Sequence, residues 1–163
     1  MSVISKQHNR KLFDCGTTEL NNYLKNTARQ HTKRDISRTF VLTEESSPEA
    51  IMGFYTITVT EIHAPVDSPL FNYPHKLPAV KIARLAVDTK YQGHGVGGYL
   101  IADAMKKVVK AHDIAPVIGI IVDAKNQAAK NFYQSFGFAE ADGEDRKFYL
   151  WLPMKTIRKT ILE

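Results

Sequence analysis

The sequence predicts an α/β protein of the mixed (α+β) type, in which helices flank a sheet with both parallel and antiparallel strands. Segments 37–43 and 51–62 are rich in β-branched and aromatic residues and are joined by a short turn, which predicts an antiparallel hairpin. Residues 81–112 change from strand periodicity to helical periodicity across a glycine-rich turn. The apolar run 116–122 follows as a second buried strand, so we expect a right-handed parallel crossover.

The remaining segments add elements around this unit. Residues 3–6 are predicted to form a short first strand, and residues 147–152 a last strand. Residues 63–78 contain four prolines and are predicted to form a long loop. No repeat or linker is present, and we therefore expect one domain over residues 1–163.

Two further helices are predicted from capping residues and periodicity. The first begins at Thr17 or Thr18, and its apolar spacing continues to about His31. The second is capped by Asn126 and ends at Gly137.

Composition limits the classes of function. The chain has 44% hydrophobic and 24% charged residues, which are globular values. Its one cysteine, Cys15, excludes an internal disulfide and fits a reducing compartment. The first residues lack the apolar core of a signal peptide and no run could span a bilayer, so we expect a cytoplasmic protein without membrane contact. No metal site is predicted, and a net charge of +5 favours anionic partners.

The turn between strand and helix has the composition of a phosphate-binding loop. Its glycines are Gly93, Gly95, Gly97 and Gly98. Glycine accepts backbone angles that other residues avoid and leaves room for a ligand to approach the N–H groups. A helix N-terminus adds unpaired N–H groups and partial positive charge. A simple strand-to-helix turn is the alternative, but it needs only one or two glycines.

Three phosphate-binding motifs compete for this loop. The P-loop is excluded because Tyr99 and Leu100 stand where Lys-Ser/Thr would be required. Gly93, Gly95 and Gly98 match the dinucleotide fingerprint G-x-G-x-x-G, with Asp123 as a possible ribose-binding acid. The position of the motif argues against this interpretation, because too few residues follow Asp123 to form the rest of a doubly wound sheet. The third motif is Gln/Arg-x-x-Gly-x-Gly, met by Gln92, Gly95 and Gly97.

Through this third motif, residues 83–98 resemble the cofactor segment of the GNAT superfamily of acetyl-coenzyme A-dependent N-acetyltransferases. The resemblance implies a central mixed, mostly antiparallel sheet that splays where acetyl-CoA binds as co-substrate. It also implies a set of cofactor-binding residues. These are Leu85, Ala86, Val87, Gln92, Gly93, His94, Gly95, Val96, Gly97, Gly98, Asn126 and Phe132.

Tyr133 is the candidate catalytic residue. Asn126 and the run from Tyr133 to Phe138 match the family's Asn…Tyr-x-x-x-Gly-Phe pattern, which implies that Tyr133 protonates the leaving thiolate. A phenol is close enough in acidity to a thiol for this transfer. The alternative is a core aromatic on an amphipathic helix, and the phosphate loop upstream favours catalysis.

No general base stands out. Glu61, His63 and Asp88 are possible, but each is equally well explained as a strand-end or surface residue. The α-amine of an aminoacyl ester has an appreciable neutral fraction near neutral pH and needs little base catalysis. The lack of a clear base therefore favours, weakly, a substrate of this kind.

Several separated motifs resemble one GNAT branch. Residues 13–16 (FDCG), 20–24, 37–40 (SRTF) and 152–157 look like the toxins of bacterial toxin–antitoxin pairs that acetylate aminoacyl-tRNA. The resemblance implies a ribbon-helix-helix antitoxin as partner, contact with operator DNA only through the antitoxin complex, and a homodimer. Gln92 replaces the arginine often found at its loop position.

A basic cluster near the end of the first helix fits this branch. On that hypothesis the cations position the acceptor end of the tRNA through its phosphates. The candidates are Arg29, Lys33, Arg34, Arg38, Lys76 and Arg84. The alternative is a solvated face that complements a helix C-terminus.

Two rival functions are compatible with the same residues. The first is an N-acetyltransferase acting on a small amine or a protein N-terminus. The second is a non-catalytic RNA-binding module on a GNAT core. Acetyl transfer to charged tRNA would indicate the toxin function, transfer to polyamines the first rival, and no transfer the second rival.

Overall fold

The computed structural model describes residues 1–141 and 148–163. Seven strands in this part of the chain form one sheet, in the order β1-β2-β3-β4-β5-β7-β6. The strands are β1 (Ser2–Val3), β2 (Arg38–Thr43), β3 (Ile51–Ile62), β4 (Leu77–Val87), β5 (Gly119–Asp123), β6 (Ala139–Glu140) and β7 (Tyr149–Pro153). The helices are α1 (Thr18–Asn26), α2 (Ala28–Lys33), α3 (Val96–Ile114), α4 (Gln127–Gln134) and α5 (Met154–Leu162).

The sheet is mixed and mostly antiparallel, as predicted. The β2–β3 hairpin is antiparallel, with a register shift between Leu42 and Thr43. β4 and β5 are parallel and are joined by α3, which confirms the predicted strand–helix–parallel strand unit, while its right-handedness stays a prediction. Their paired positions are Val80 with Ile120 and Lys81 with Ile121, and β4 continues past this last pair to Val87.

Several boundaries differ from the sequence prediction, among them the start of β5, which is Gly119 rather than residue 116. The first strand is Ser2–Val3 rather than 3–6, and the last is Tyr149–Pro153, with residue 147 outside the described residues. β4 starts at Leu77, inside the segment predicted as loop. The helix expected from Thr17 or Thr18 to His31 is divided at Thr27, where φ is −124°. β6 and α5 were not predicted from the sequence.

The chain groups into two compact units, each with its own core. The first unit comprises Met1–Thr58 and Ile82–Ala104. Its core contains the buried rings of Phe13 and Phe54, which meet edge to face at 5.4 Å. α2 packs on β2 in this unit.

The second unit comprises Val59–Lys81 and Met105–Glu163. Its core is centred on Trp151 of β7, which is 2% exposed. The indole N–H of Trp151 donates to Asp67 Oδ1 at 3.1 Å, and this bond attaches the loop between β3 and β4 to the core. α5 packs on β5 and β7.

The described helices include none with the length and apolar character needed to cross a bilayer.

Candidate active site

The glycine-rich loop lies in the first unit, between β4 and α3. Gly93 and Gly95 have φ angles of 78° and 81°. Glycine adopts this left-handed region without strain, whereas a side chain makes it costly. A Cβ added at either position would meet no atom within 4 Å. The backbone conformation therefore requires these glycines, and the space above them is open to a ligand.

Helix α3 begins at Val96, directly after this loop. The N–H groups of its first turn have no acceptor within the helix, because no earlier turn exists. The Tyr99 N–H, by contrast, donates to the Gly95 carbonyl at 3.1 Å. The loop thus ends in N–H donors without intrahelical acceptors, at the positive end of a helix of 19 residues, which is an arrangement suited to an anion.

The side chain of Gln92 holds the loop in place. Its side-chain amide donates to the Val87 carbonyl at 2.9 Å and to the Cys15 carbonyl at 3.0 Å. The Gln92 carbonyl is in turn 2.9 Å from Nδ1 of His94. The side chain at this position therefore holds the loop against the end of β4 and the N-terminal segment, and its nitrogen is engaged by two protein carbonyls.

Asp88 anchors the same turn. Its buried carboxylate accepts from the Lys90 N–H at 2.9 Å and from the Asp14 N–H at 3.1 Å. The Thr89 N–H donates back to the Asp14 carbonyl at 2.9 Å. Since both oxygens of Asp88 bind backbone N–H groups, this residue has a structural role and is a poor candidate for a general base.

The end of β4 precedes the loop. Ala86 is buried, and Leu85 and Val87 are half-buried. These three residues follow the last β4–β5 pair, at the carboxyl end of the strand. In open α/β sheets, ligands bind at the carboxyl ends of parallel strands.

Tyr133 lies in the second unit, on α4. It is 7% exposed, and its ring packs edge to face against Phe132 at 5.2 Å and Phe138 at 5.4 Å. Burial raises the pKa of the phenol well above its ordinary value. Within the described residues, no side chain forms a hydrogen bond with the hydroxyl group. The phenol is therefore protonated at neutral pH and its donor is available.

Asn126 is the N-cap of α4, as predicted. Its side-chain oxygen accepts from the Ala129 N–H at 2.8 Å. Gly137 has a φ angle of 93° and stands just beyond the helix, where a residue of this conformation ends the helical path. Phe132 is half-buried between the rings of Tyr133 and Phe136. The cap and the ring contacts together position the helix that carries Tyr133.

The predicted basic residues divide by their surroundings. Arg29, Lys33 and Arg34 are exposed on α2 and its C-terminal end, and Lys76 is exposed in the loop of the second unit. Arg38 pairs with Asp35 at 3.3 Å on the surface.

Arg84 differs from these exposed cations. Its guanidinium lies over the ring of Tyr23, 3.9 Å from the centroid, and Tyr23 also contacts the ring of His31. The Tyr23 hydroxyl is 3.3 Å from Oγ of Ser37. The sequence placed Tyr23 on the first helix and in the 20–24 motif but gave its side chain no role. Its support of Arg84 depends on a contact between distant segments that no local spacing reveals.

Of the candidate bases, Glu61 and His63 are exposed at and just after the end of β3. The geometry brings the predicted residues into two groups. The first unit holds the loop, the end of β4 and most of the cations, and the second holds Asn126, Phe132, Tyr133 and Lys76.

Residues 35–140 match the family model of the acetyltransferase (GNAT) domain. The chain belongs to the GNAT acetyltransferase family. It is thus an acetyltransferase, and its seven-stranded open sheet is the GNAT fold predicted from the sequence.

The chain is similar along most of its length to two proteins whose names include tRNA. A tRNA-acetylating toxin of Mycobacterium tuberculosis (strain ATCC 25618 / H37Rv) is 32% identical over 152 residues, which cover 91% of this chain and 88% of the relative. The solved structure of AtaT complexed with acetyl-methionyl-tRNAfMet has a TM-score of 0.89 and 28% identity, and covers 98% of this chain and 96% of its own.

Two other solved structures contain further molecules. A tyrosine-to-phenylalanine variant of the toxin AtaT, bound to the C-terminus of the antitoxin AtaR and to acetyl-CoA, has a TM-score of 0.86 and 27% identity, covering 99% and 97% of the two chains. The KacTA–DNA complex has a TM-score of 0.82 and 28% identity, covering 99% and 96%. The predicted resemblance to the toxin branch therefore extends along nearly the whole GNAT chain.

Proposed function

We propose that this protein is an acetyl-CoA-dependent N-acetyltransferase toxin that transfers an acetyl group to the α-amino group of aminoacyl-tRNA and thereby blocks translation. The observation that carries the proposal is the similarity, over nearly the whole chain, to AtaT in its complex with acetyl-methionyl-tRNAfMet. The tRNA-acetylating relative from Mycobacterium tuberculosis supports the same substrate class.

The glycine-rich loop is our proposed site for the diphosphate of acetyl-CoA. Backbone N–H groups of residues 93–98 bind the phosphate oxygens, and the left-handed Gly93 and Gly95 support this role. Gln92 acts through its backbone and by holding the loop in place. Backbone groups of residues 85–87 align the pantetheine arm.

Tyr133 is our proposed general acid. The α-amino nitrogen attacks the thioester carbonyl carbon, so that a C–N bond forms and the C–S bond breaks. The leaving thiolate takes the proton of the Tyr133 hydroxyl, the amine gives one proton to solvent, and solvent returns a proton to the phenolate. The raised pKa of Tyr133 keeps its proton in place until the thiolate appears.

The amine supplies much of its own reactivity. The pKa of an α-amine is about 8, so an appreciable fraction of the amine is neutral at cellular pH. Glu61 and His63 are exposed, and Asp88 is engaged by backbone N–H groups. These surroundings support a reaction in which water takes the proton from the amine.

The acceptor end of the tRNA binds the basic residues Arg29, Lys33, Arg34, Arg38, Lys76 and Arg84. The first five are exposed, and Arg84 is half-buried with its guanidinium stacked on the ring of Tyr23, and both observations support this proposal.

An antitoxin neutralises the enzyme, and the toxin–antitoxin complex contacts DNA. The AtaT–AtaR and KacTA–DNA complexes support these partners. We further propose, from the resemblance, that the antitoxin is of the ribbon-helix-helix type, that the toxin is a homodimer and that it acts in the bacterial cytoplasm.

Mass spectrometry of a charged tRNA pool tests the proposal directly. After incubation with the protein and acetyl-CoA, we expect N-acetylaminoacyl-tRNA, and none when acetyl-CoA is omitted. Polyamines and an N-terminal peptide serve as competing acceptors in parallel reactions. Acetylation of those acceptors alone, or tRNA binding without any acetyl transfer, would overturn the proposal.

A further inference from the structure

A second basic surface lies in the first unit, apart from the residues assigned above. It is a cavity of about 370 Å³ beside the turn that precedes α1. Four of the residues that line it are cations: Lys6, Arg10, Lys11 and Lys25. The others are His8, Asn9 and Asn26, so its described lining contains no carboxylate and no apolar side chain.

Residues 5–11, which carry three of the four cations, are held by hydrogen bonds within the segment, to residue 49 and to α1. The Ser5 N–H donates to Nδ1 of His8 at 3.0 Å, and the His8 N–H donates to the Ser5 carbonyl at 3.3 Å. The Asn9 N–H donates to the Glu49 carbonyl at 2.7 Å. Arg10 donates from its guanidinium to the Lys25 carbonyl at 2.6 Å, which joins the turn to α1. The cavity is therefore organised before any ligand arrives.

The charges in this cavity are not neutralised by the protein. Arg10 and Lys25 are half-buried and Lys6 and Lys11 are exposed, and in the described part of the chain none of the four cations forms an ion pair. Asp14 influences Lys25 electrostatically, but it does not line the cavity, and its Oδ1 already accepts from the Gly16 N–H and the Asn21 amide. Like charges that line one cavity repel each other, and an anionic ligand would relieve that repulsion.

The chemistry of the lining identifies the class of anion. A protein partner would bury an apolar centre, and this lining provides none. Ammonium, guanidinium and amide donors match the oxygens of phosphodiesters. Lys25 lies on α1 and Arg29 on α2, which follows with Thr27 as the only residue between the two helices. The cavity is thus connected along the chain to the cluster that we assign to the acceptor end.

We propose that this cavity binds the phosphodiester backbone of the tRNA beyond its acceptor stem, as a second contact that selects whole tRNA over short charged RNA. The proposal rests on the proposed function, since it concerns the substrate of the same reaction.

The test compares two charged substrates, a full-length aminoacyl-tRNA and an aminoacyl minihelix that retains only the acceptor arm. For Lys11→Ala combined with Lys25→Ala, we expect KM for the full-length tRNA to rise roughly tenfold with kcat unchanged. The slope of log affinity against log salt should become shallower by about 2, one unit for each phosphate that no longer has a lysine beside it. KM for the minihelix and for acetyl-CoA should stay as in the wild type.

Matched controls separate charge from folding. Lys155→Ala with Lys159→Ala removes two exposed lysines from α5 and should change none of these constants. Lys11→Arg with Lys25→Arg keeps the charge and should restore the wild-type KM. Equal thermal melting of all variants establishes that they are folded.

Three results would overturn the inference. An equal rise in KM for the minihelix would assign the cavity to the acceptor arm, and a rise in KM for acetyl-CoA would assign it to the phosphates of the co-substrate. Unchanged tRNA kinetics, with or without loss of suppression by the antitoxin, would exclude RNA as the ligand. Failure of the proposed function is distinguishable, because the wild-type protein would then acetylate neither RNA.

Discussion

The environment of Tyr133 bears on the role of general acid that we propose for it. Its ring is packed between Phe132 and Phe138, and burial raises the pKa of the phenol. A higher pKa weakens the acid, but it also keeps the proton on the phenol until a strong base such as a thiolate is formed.

Replacing Tyr133 with Phe removes this proton donor while keeping the ring. We expect kcat to fall by about 10²–10⁴-fold, the usual contribution of a general acid, with little change in KM for acetyl-CoA. Steady-state kinetics with charged tRNA provide the measurement. Tyr99→Phe, at an exposed phenol in the first turn of α3, is the matched control and should retain full activity. A Tyr133→Phe enzyme with wild-type kcat would mean that water protonates the thiolate.

Residues of the loop show which conformations and contacts sequence patterns can predict. The motif located the loop because glycines at fixed spacing are a local signal, and Gly93 and Gly95 have the left-handed angles that this signal implies. The position of the Gln92 amide, between the Val87 and Cys15 carbonyls, could not be predicted. Cys15 is distant in sequence, and only the folded chain brings its carbonyl to the loop.

At the scale of elements, strands and helices with strong periodicity were predicted well and short ones were not. The hairpin, α3, β5 and the capped helix α4 all have clear patterns. The division of the first helix at Thr27 has no such signal, since residues 18–33 contain neither glycine nor proline. β6 has two residues and exists only through its pairing with β7, which a single-sequence pattern does not contain.

The end of α2 depends on a residue in an unfavourable conformation. Asp35 has a φ angle of 57°, and its N–H donates to the Thr32 carbonyl while the Ile36 N–H donates to the His31 carbonyl. This pair of bonds is the Schellman motif, in which glycine is the usual residue at the left-handed position. The surface ion pair with Arg38 offsets little of this cost.

Asp35→Gly should therefore stabilise the protein by roughly 0.5–1 kcal/mol, because glycine adopts the left-handed conformation without strain. Urea unfolding measures the change. Asp35→Ala is the matched control, since it also removes the ion pair but keeps a Cβ, and it should be the less stable of the two variants. Equal stability of the glycine and alanine variants would show that the φ angle carries no cost.

At the scale of the molecule, the sequence predicted one domain, and this stays a prediction. The chain groups into two compact units, and β3, β4 and α3 each contribute residues to both. Composition and length alone could not predict this grouping, because it depends on which distant segments pair. Unfolding of either unit would break elements that continue into the other.

We therefore expect thermal unfolding to give a single cooperative transition in scanning calorimetry, with a ratio of calorimetric to van't Hoff enthalpy of about 1. Acetyl-CoA at saturating concentration should raise the midpoint of this transition, because it binds the folded state only. Two resolved peaks, of which acetyl-CoA shifts one, would instead indicate two domains.

The bond between Trp151 and Asp67 has a practical consequence. Trp151 is the only tryptophan of the chain, so the intrinsic fluorescence of the protein reports on one position. That position is in contact with the loop between β3 and β4 through the hydrogen bond to Asp67. A ligand that moves this loop would change the polarity around the indole and shift its emission. Intrinsic tryptophan fluorescence can therefore report movement of this loop without an added label.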